Sequence, residues 1–411
     1  MRNVLIIGAG QSGLQLGLSL LAEGYQVTIM SARTPEEIRG GWVTSTQAMF
    51  DDALRTERAY GLDLWRDETP QIAGLHVSLS APPGQRALRI PCPLDAPAQS
   101  TDQRVKMARW LELFEERGGI VHYQGVTTAD LDGLTQLNRY DLTVVAAGKG
   151  ELVGVFDRDP ARSPYETPQR GLAVVYVHGL APDPLWPEPN VGFNAVPGLG
   201  ELFVIPGLTH SGPCDILFWE TVPDGPLDRW RERLPPAEHL KLTLELAREY
   251  TPWVYERCAD VELTDGRAAL SGRYTPTVRQ PVAELPGGGL VLGMADVVVA
   301  NDPITGQGSN TAAKCAAHYL GAILEHGDRP FDRAWMEQTF TDFWDGAGRH
   351  VTEWTNAMLQ PLPEHVQQIL GVAATNETVA RRFANGFSDP ADFQHWFMDP
   401  ARSKEYLASV A

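Results

Sequence analysis

Val4-Leu5-Ile6-Ile7-Gly8-Ala9-Gly10-Gln11-Ser12-Gly13 decides how the rest of the chain is read. A short uncharged run of branched residues such as Val4–Ile7 forms a strand buried on both faces. The glycines that follow, Gly8-x-Gly10-x-x-Gly13, open a helix whose apolar positions are Leu14, Leu18, Leu20 and Leu21. Gly24 ends that helix, and Val27-Thr28-Ile29-Met30 is the next strand. In such a βαβ unit the first glycine permits the tight turn and the second lets a pyrophosphate approach the backbone. The third lets helix and strand pack closely. The helix N-terminus then offers free N–H groups and a positive dipole to phosphate. Gly8, Gly10, Gln11, Ser12 and Gly13 are therefore assigned to dinucleotide binding. An acidic residue that would hold the ribose hydroxyls is missing after the second strand, where the chain reads Met30-Ser31-Ala32-Arg33. Arg33 or Ser31 is left to serve the adenosine end, and modest affinity is expected.

Working outward, Thr101–Gly118 has helical spacing at Met107, Trp110, Leu111 and Phe114, followed by a strand at Ile120–Tyr123. Leu142–Ala147 reads as another buried parallel strand, ending at Gly148. Residues 151–285 change character. Strand-like runs at Leu172–Val177 and Leu202–Ile205 are separated by Pro and Gly turns, which predicts an antiparallel sheet, interrupted by a helix over Pro236–Tyr250. Gly289–Gly293 returns to the parallel type, and residues 308–411 read as mostly helical. The predicted division is a discontinuous dinucleotide domain (1–150 and 286–330), a substrate-binding domain (151–285) and a helical C-terminal region (331–411).

The chain has 411 residues and a formal net charge of −18, with 43% hydrophobic and 21% charged residues. That acidity disfavours nucleic acid and anionic membranes as partners and suits plain solubility. No apolar run approaches the roughly 20 residues that span a bilayer. No long apolar stretch follows Arg2 either, so no signal peptide and a cytoplasmic location are expected. Cys92, Cys214, Cys258 and Cys315 lie far apart, and the ten histidines are scattered, which predicts neither a disulfide framework nor a metal site.

A second constellation follows the strand at 289–293: Gly293-Met294-Ala295-Asp296, then Asp302-Pro303-Ile304-Thr305-Gly306-Gln307-Gly308-Ser309-Asn310 opening a helix. Together with the first glycine motif it resembles the cofactor signatures of p-hydroxybenzoate-hydroxylase-like FAD monooxygenases. The resemblance implies an α/β fold: a Rossmann-like FAD-binding domain, an antiparallel-sheet substrate domain and a helical C-terminal region. It places Asp296 on the ribitol chain, and Pro303, Gly306, Gly308, Ser309 and Asn310 at the flavin ring, where helix N–H groups face the pyrimidine oxygens. It also offers Arg104, in the first turn of its helix, as a contact to the FAD diphosphate; a solvated helix arginine is the other reading. The Asp-Gly signature of hydroxylases that take NAD(P)H directly is absent after Leu142–Ala147, as is a second glycine-rich βαβ unit. Reduced FAD is therefore expected from another protein.

Over nearly its whole length the chain resembles the oxygenase components of two-component styrene and indole monooxygenases. The resemblance rests on Gly40-Gly41 through Thr46, Leu94-Asp95-Ala96-Pro97, Gly148-Lys149, Ser163 through Arg170, Gly293 through Asn310, and Trp354-Thr355-Asn356. It implies a separate NADH-dependent flavin reductase as transient partner, a small aromatic substrate and O2, with a homodimer left open. It further implies delivery of one oxygen atom from a flavin C4a-hydroperoxide to an alkene or arene double bond. In that family the styrene type carries Asn, Val, His, Tyr, His and Ser at six pocket positions. The indole type carries Ser, Gln, Met, an aliphatic pair and Ala. Here these positions read Ser45, Gln47, Met49, Ile72, Leu75 and Ala98, matching the indole type. The resemblance assigns flavin-edge and orientation roles to Ser45, Thr46 and Gln47, and an apolar wall to Met49, Ile72, Leu75, Ala98 and Ile304. Trp42 departs from the arginine often found there. A flavin halogenase is disfavoured because no Trp-x-Trp pair occurs among the eleven tryptophans. A non-catalytic FAD-fold carrier would not need the loop Asp302–Asn310.

Overall fold

The computed structural model describes residues 2–44, 48–148, 150–230 and 232–410. Its strands in chain order are β1 (Asn3–Ile7), β2 (Gln26–Ser31), β3 (Ile72–Ser80), β4 (Arg86–Ala98), β5 (Ile120–Tyr123) and β6 (Leu142–Val145). There follow β7 (Gly171–His178), β8 (Asn190–Val196), β9 (Gly200–Thr209), β10 (Gly212–Thr221), β11 (Glu262–Leu263) and β12 (Ala269–Gly272). The last four are β13 (Thr277–Val278), β14 (Val282–Glu284), β15 (Leu290–Gly293) and β16 (Val299–Ala300). The helices are α1 (Gln11–Ala22), α2 (Pro35–Arg39), α3 (Asp51–Ala59), α4 (Gln103–Glu116), α5 (Thr128–Gln136), α6 (Pro236–Tyr250) and α7 (Pro252–Tyr255). Then come α8 (Gly308–His326), α9 (Arg333–Phe343), α10 (Arg349–Met358), α11 (Glu364–Ala373), α12 (Glu377–Asn385), α13 (Phe393–Trp396) and α14 (Pro400–Ser409).

The expected α/β fold is present. A six-stranded sheet runs β14-β15-β6-β1-β2-β5, parallel throughout except for the β14 edge. Val4–Ile7 and Leu142–Val145 are almost wholly removed from water, as central parallel strands require. Helix α1 packs on α8 and α4, and one continuous core joins β1, β2, β6, β15, α1, α4 and α8.

The second sheet runs β11-β7-β10-β9-β8-β3-β4, with β12 also on β7. Two boundaries differ from the sequence expectation. The hairpin β3–β4, expected within the dinucleotide domain, belongs to this second sheet, where β3 pairs in parallel with β8. Leu75, Val77 and Leu79 alternate along β3, and Leu75 and Val77 join the second core. Alternating with His76, Ser78 and Ser80, which are buried as well, they give β3 a two-residue period, unlike the continuous apolar run of β1. The C-terminal region is not a separate unit either. Phe340, Phe343 and Trp344 extend the first core, whereas Trp354, Phe383, Phe387, Phe393, Trp396 and Phe397 pack onto the second sheet. The α9–α10 junction at Trp344–Gly348 is a π-helical turn. No described helix is long and apolar enough to cross a membrane, and no described cluster of His, Cys, Asp and Glu could hold a metal ion.

Candidate active site

The first glycine signature has the geometry its spacing implies. Gly8 sits at φ +119°, and a Cβ there would lie 2.9 Å from the Ala146 carbonyl carbon; one on Gly13 would lie 2.1 Å from the Gly8 carbonyl oxygen. Gly10 is the exception, because a Cβ there meets nothing within 4 Å. Strand and helix are thus locked by two glycines, while the third faces open space at the N-terminus of α1. No acidic side chain occupies that first turn, so its unbonded amides are suited to an anionic diphosphate. At the end of β2, Met30 accepts from the Gly8 N–H at 3.0 Å. Ser31 donates its hydroxyl to the Arg33 carbonyl at 2.6 Å, and the Arg33 side chain is exposed.

The second signature lies beside the first. Gln15, one turn into α1, donates to the Ala313 carbonyl, one turn into α8, at 3.0 Å, so the two helix N-termini lie at the same end of the molecule. Ala295, immediately before Asp296, holds φ +54°, a conformation that side-chain-bearing residues avoid and that concentrates at functional sites. Gly148 passes so close to Asp296 that a Cβ would lie 2.7 Å from the aspartate's own Cβ. Asp302 caps the turn Pro303–Thr305 by accepting from the Ile304 N–H at 3.2 Å, and Gly306 leaves it in the left-handed region at φ +62°. The first turn of α8 has no acidic residue. Open glycines, acid-free helix N-termini and a strained aspartate turn suit a dinucleotide cofactor.

Against the Pro303–Gly306 turn lies a narrow apolar cavity. Phe193, Phe203 and Phe218 wall it from the second sheet, with Leu75, Val191 and Ile205 beside them. Ala48, Phe50 and Phe387 close it, and Pro303, Thr305 and Gly306 form its other end. Phe193 stacks on Phe203 with ring centroids 4.9 Å apart and planes 9° apart. Two polar side chains enter this lining: the Thr305 hydroxyl is bonded to that of Thr355 at 2.7 Å, whereas Glu220 is 0% exposed and neither of its carboxyl oxygens has a hydrogen-bond partner among the described residues. The alternation Ile216-x-Phe218-x-Glu220 brings it to this face, and that alternation is the signal by which sequence reading could have found it.

Glu220 belongs to a buried cluster. Glu201 lies directly opposite on β9 and takes Arg170 through Nε at 3.0 Å and Nη2 at 3.1 Å. Asp302 is the third carboxyl. Burial, with Asp302 and Glu201 adding to it, pushes Glu220 well above the usual carboxyl range. Burial likewise raises Asp302 to about 7, although Arg170 opposes it.

The predicted site residues divide. Leu75, Pro303 and Gly306 meet at the cavity. Ile72 and Ala98 face each other as a register pair between β3 and β4, buried in the second core, and Ile304 is buried in its turn. Ser45, Thr46, Gln47 and Lys149 lie outside the described residues. Ser12, Ser309 and Gly308 lie in the first turns of α1 and α8. Four expectations need correction. Met49 packs with Ala53, Leu54 and Ala313, its sulfur 3.3 Å from Lys106 Nζ, so it does not wall the cavity. The Gln11 side chain is directed into the same buried network, donating to Glu57 at 3.0 Å, with Glu57 paired to Lys106 at 2.5 Å. Asn310 joins α8 to the 48–50 segment: it donates to the Ala48 carbonyl and accepts from the Phe50 N–H, both at 2.9 Å. Its amide is a brace, leaving only its helix backbone to face a cofactor. Arg104 is not a solvated helix arginine, and its guanidinium is taken up within the fold. It is 2% exposed and bonds Asp102 at 2.7 and 2.9 Å, Asp265 at 2.9 Å and the Gly41 carbonyl at 3.4 Å. Burial opposes its charge, but the two aspartates hold its pKa above the ordinary value. Trp42 is partly exposed and carries the Arg233 guanidinium 4.3 Å from its ring centre.

Known proteins share this arrangement. Residues 148–257 match the family described as "Styrene monooxygenase A putative substrate binding domain". Styrene monooxygenase StyA of Pseudomonas fluorescens is 31% identical over 420 residues, covering 100% of this chain and 98% of its own. A second styrene monooxygenase StyA, from a Pseudomonas species, is 30% identical over the same span. Among solved structures, the flavin-dependent brominase Bmp2 superposes with a TM-score of 0.67 at 15% identity, covering 99% of both chains. The p-nitrophenol 4-monooxygenase PnpA of Pseudomonas putida DLL-E4 gives 0.64 at 12% identity, covering 95% of this chain and 99% of its own. These structural likenesses establish the fold alone, while the full-length relatives establish kinship. With its two glycine signatures set beside an aromatic cavity, the chain belongs to the styrene monooxygenase family of flavin-dependent monooxygenases.

Proposed function

We propose that this protein is the FAD-binding oxygenase component of a two-component monooxygenase and inserts one oxygen atom from O2 into the C2–C3 double bond of indole. The observation that carries the reading is the aromatic cavity ending on the Pro303–Gly306 turn, whose apolar lining suits a flat aromatic ring beside the end that would receive the flavin. Gly8, Gly10 and Gly13 cradle the diphosphate, with Arg33 at the adenosine end and Asp296 on the ribitol chain. Pro303, Gly306, Gly308 and the α8 N-terminus support the ring. Bound reduced flavin supplies oxygen activation. The chain's own work is to hold the ring in reach, exclude water through the Phe193, Phe203 and Phe218 wall, and stabilise negative charge with α8 amides. Ser45, Gln47, Leu75 and Ala98 favour indole through the family's pocket pattern. Styrene is the second reading, supported by the substrate in the relatives' names.

The test supplies the protein with FAD, indole and NADH, with and without an unrelated flavin reductase. NADH alone leaves the bound flavin oxidised; adding the reductase produces 3-hydroxyindole and, in air, indigo. Rapid bleaching by NADH without reductase removes the two-component reading. Turnover of styrene with none of indole removes the substrate assignment.

A further inference from the structure

The aromatic cavity holds a polar side chain that no described residue satisfies. Glu220 lies on the same face of β10 as Ile216 and Phe218, fully buried, with neither Oε1 nor Oε2 bonded to any described residue. Buried polar atoms are nearly always paired, and an orphan calls for an explanation. The local cation does not provide one, because Arg170 already grips Glu201, the residue opposite Glu220 in the β9–β10 register. Asp302 is a third carboxyl nearby, engaged with the Ile304 N–H. Three carboxyl groups therefore face one arginine, away from water. A second unpaired negative charge in that setting is strongly disfavoured. Tyr274 also faces these carboxyl groups, and its phenol adds no cation. Glu220 thus carries its proton, which agrees with the upward displacement of its titration by burial, Asp302 and Glu201. A neutral carboxyl presents a carbonyl acceptor and a hydroxyl donor to whatever occupies the cavity.

We propose that the Glu220 carboxyl accepts the ring N–H of an indole-class substrate in the aromatic cavity, making it the residue that selects N–H heteroaromatics over hydrocarbon alkenes. The inference rests on the proposed aromatic substrate and names the group that recognises it. A hydrocarbon of the same shape leaves the carboxyl unsatisfied, and a site built to bond a substrate N–H rejects an analogue lacking it. An N–H ligand answers the carbonyl oxygen, the acceptor that the hydrocarbon leaves bare. Selection then acts chiefly on binding.

The experiment measures equilibrium binding of indole, N-methylindole and indene to the full-length protein by calorimetry. The proteins are the parent, Glu220→Leu and Glu220→Gln, each first checked by thermal melting. The parent is expected to bind indole about tenfold or more tighter than indene or N-methylindole, the order set by one buried hydrogen bond. Glu220→Leu abolishes that preference by weakening indole while leaving indene bound. Glu220→Gln, which keeps a carbonyl acceptor, retains most of it. Under a fixed supply of reduced flavin, the Leu variant raises KM for indole more than it lowers kcat. A parent-like preference in Glu220→Leu overturns the proposal alone. Should that variant fail to fold, equal parental affinity for indole and N-methylindole overturns it independently. Failure of the parent to bind any of the three removes the aromatic-substrate reading itself, and the proposal with it.

Discussion

Two arginines sit in buried clusters of carboxyl groups, and their surroundings could hardly differ more. Around Arg104, two carboxylates, a hydroxyl and a carbonyl meet all three guanidinium nitrogens, joining α4, β9 and the loop at Asp265. Around Arg170, one carboxylate is paired and two carboxyls remain, one of them without a hydrogen-bond partner among the described residues. A network in which every charge is answered holds the fold together. One with surplus acceptors facing a cavity is prepared for something that is not part of the chain. Both clusters are rich in charge, so charge alone does not mark the site; the deficit does.

The largest expected effect tests the first half of that contrast. Replacing Arg104 by Leu leaves the buried Asp102 unanswered and should cost about 3–5 kcal/mol of stability, read as a lower urea midpoint. An unchanged midpoint with lost flavin affinity would instead restore a diphosphate role for this residue. Replacing Arg170 by Met should cost less, roughly 1–3 kcal/mol near pH 6, because Glu201, already raised by burial, can take a proton. That loss should widen as the pH rises. An Arg170 variant as damaging as the Arg104 variant at every pH would erase the distinction drawn here.

A pH measurement sharpens the second cluster. The folded-state pKa of Asp302 is raised, to about 7 against 3.8, so the folded protein binds the extra proton within that window. The associated stability is fully present below the unfolded value and lost as pH rises through the folded one. Asn at this position keeps the capping acceptor without the charge. Asp302→Asn should therefore melt close to the parent at pH 5 and above it at pH 8. The reverse order would mean that Asp302 is stabilised as an anion.

The smallest effect concerns Met49, which faces Lys106 instead of the cavity. Met49→Leu conserves volume and should change stability by less than about 1.5 kcal/mol, with no change in the ratio of indole to styrene kcat/KM. Ser45→Asn with Gln47→Val should move that ratio toward styrene by roughly tenfold. A shift produced by Met49 alone would return it to the substrate-facing set.

The order of elements in the first sheet was legible from residues because its signals are local. Val4–Ile7, the glycine spacing and the helix after it are contiguous, and the need for Gly8 and Gly13 is set by atoms a few residues away or at the end of the adjacent strand. The helix at Pro236–Tyr250 and the turn before α8 were legible for the same reason. What the sequence by itself determined was therefore the cofactor half: a βαβ unit, two helix N-termini free of acid, and the family pattern they carry. Tertiary structure alone decided which polar side chains the fold uses up. Arg104, Gln11 and Asn310 look available in a motif, yet each is engaged by a residue at least 46 positions away in the chain. Glu220 looks like one carboxylate among many until β9 sets Glu201 opposite it and Arg170 is taken up by Glu201 and the Gln169 carbonyl. A motif records which groups a ligand requires, but whether a group is free depends on long-range pairing, and unanswered polarity exists only once the chain has folded around it.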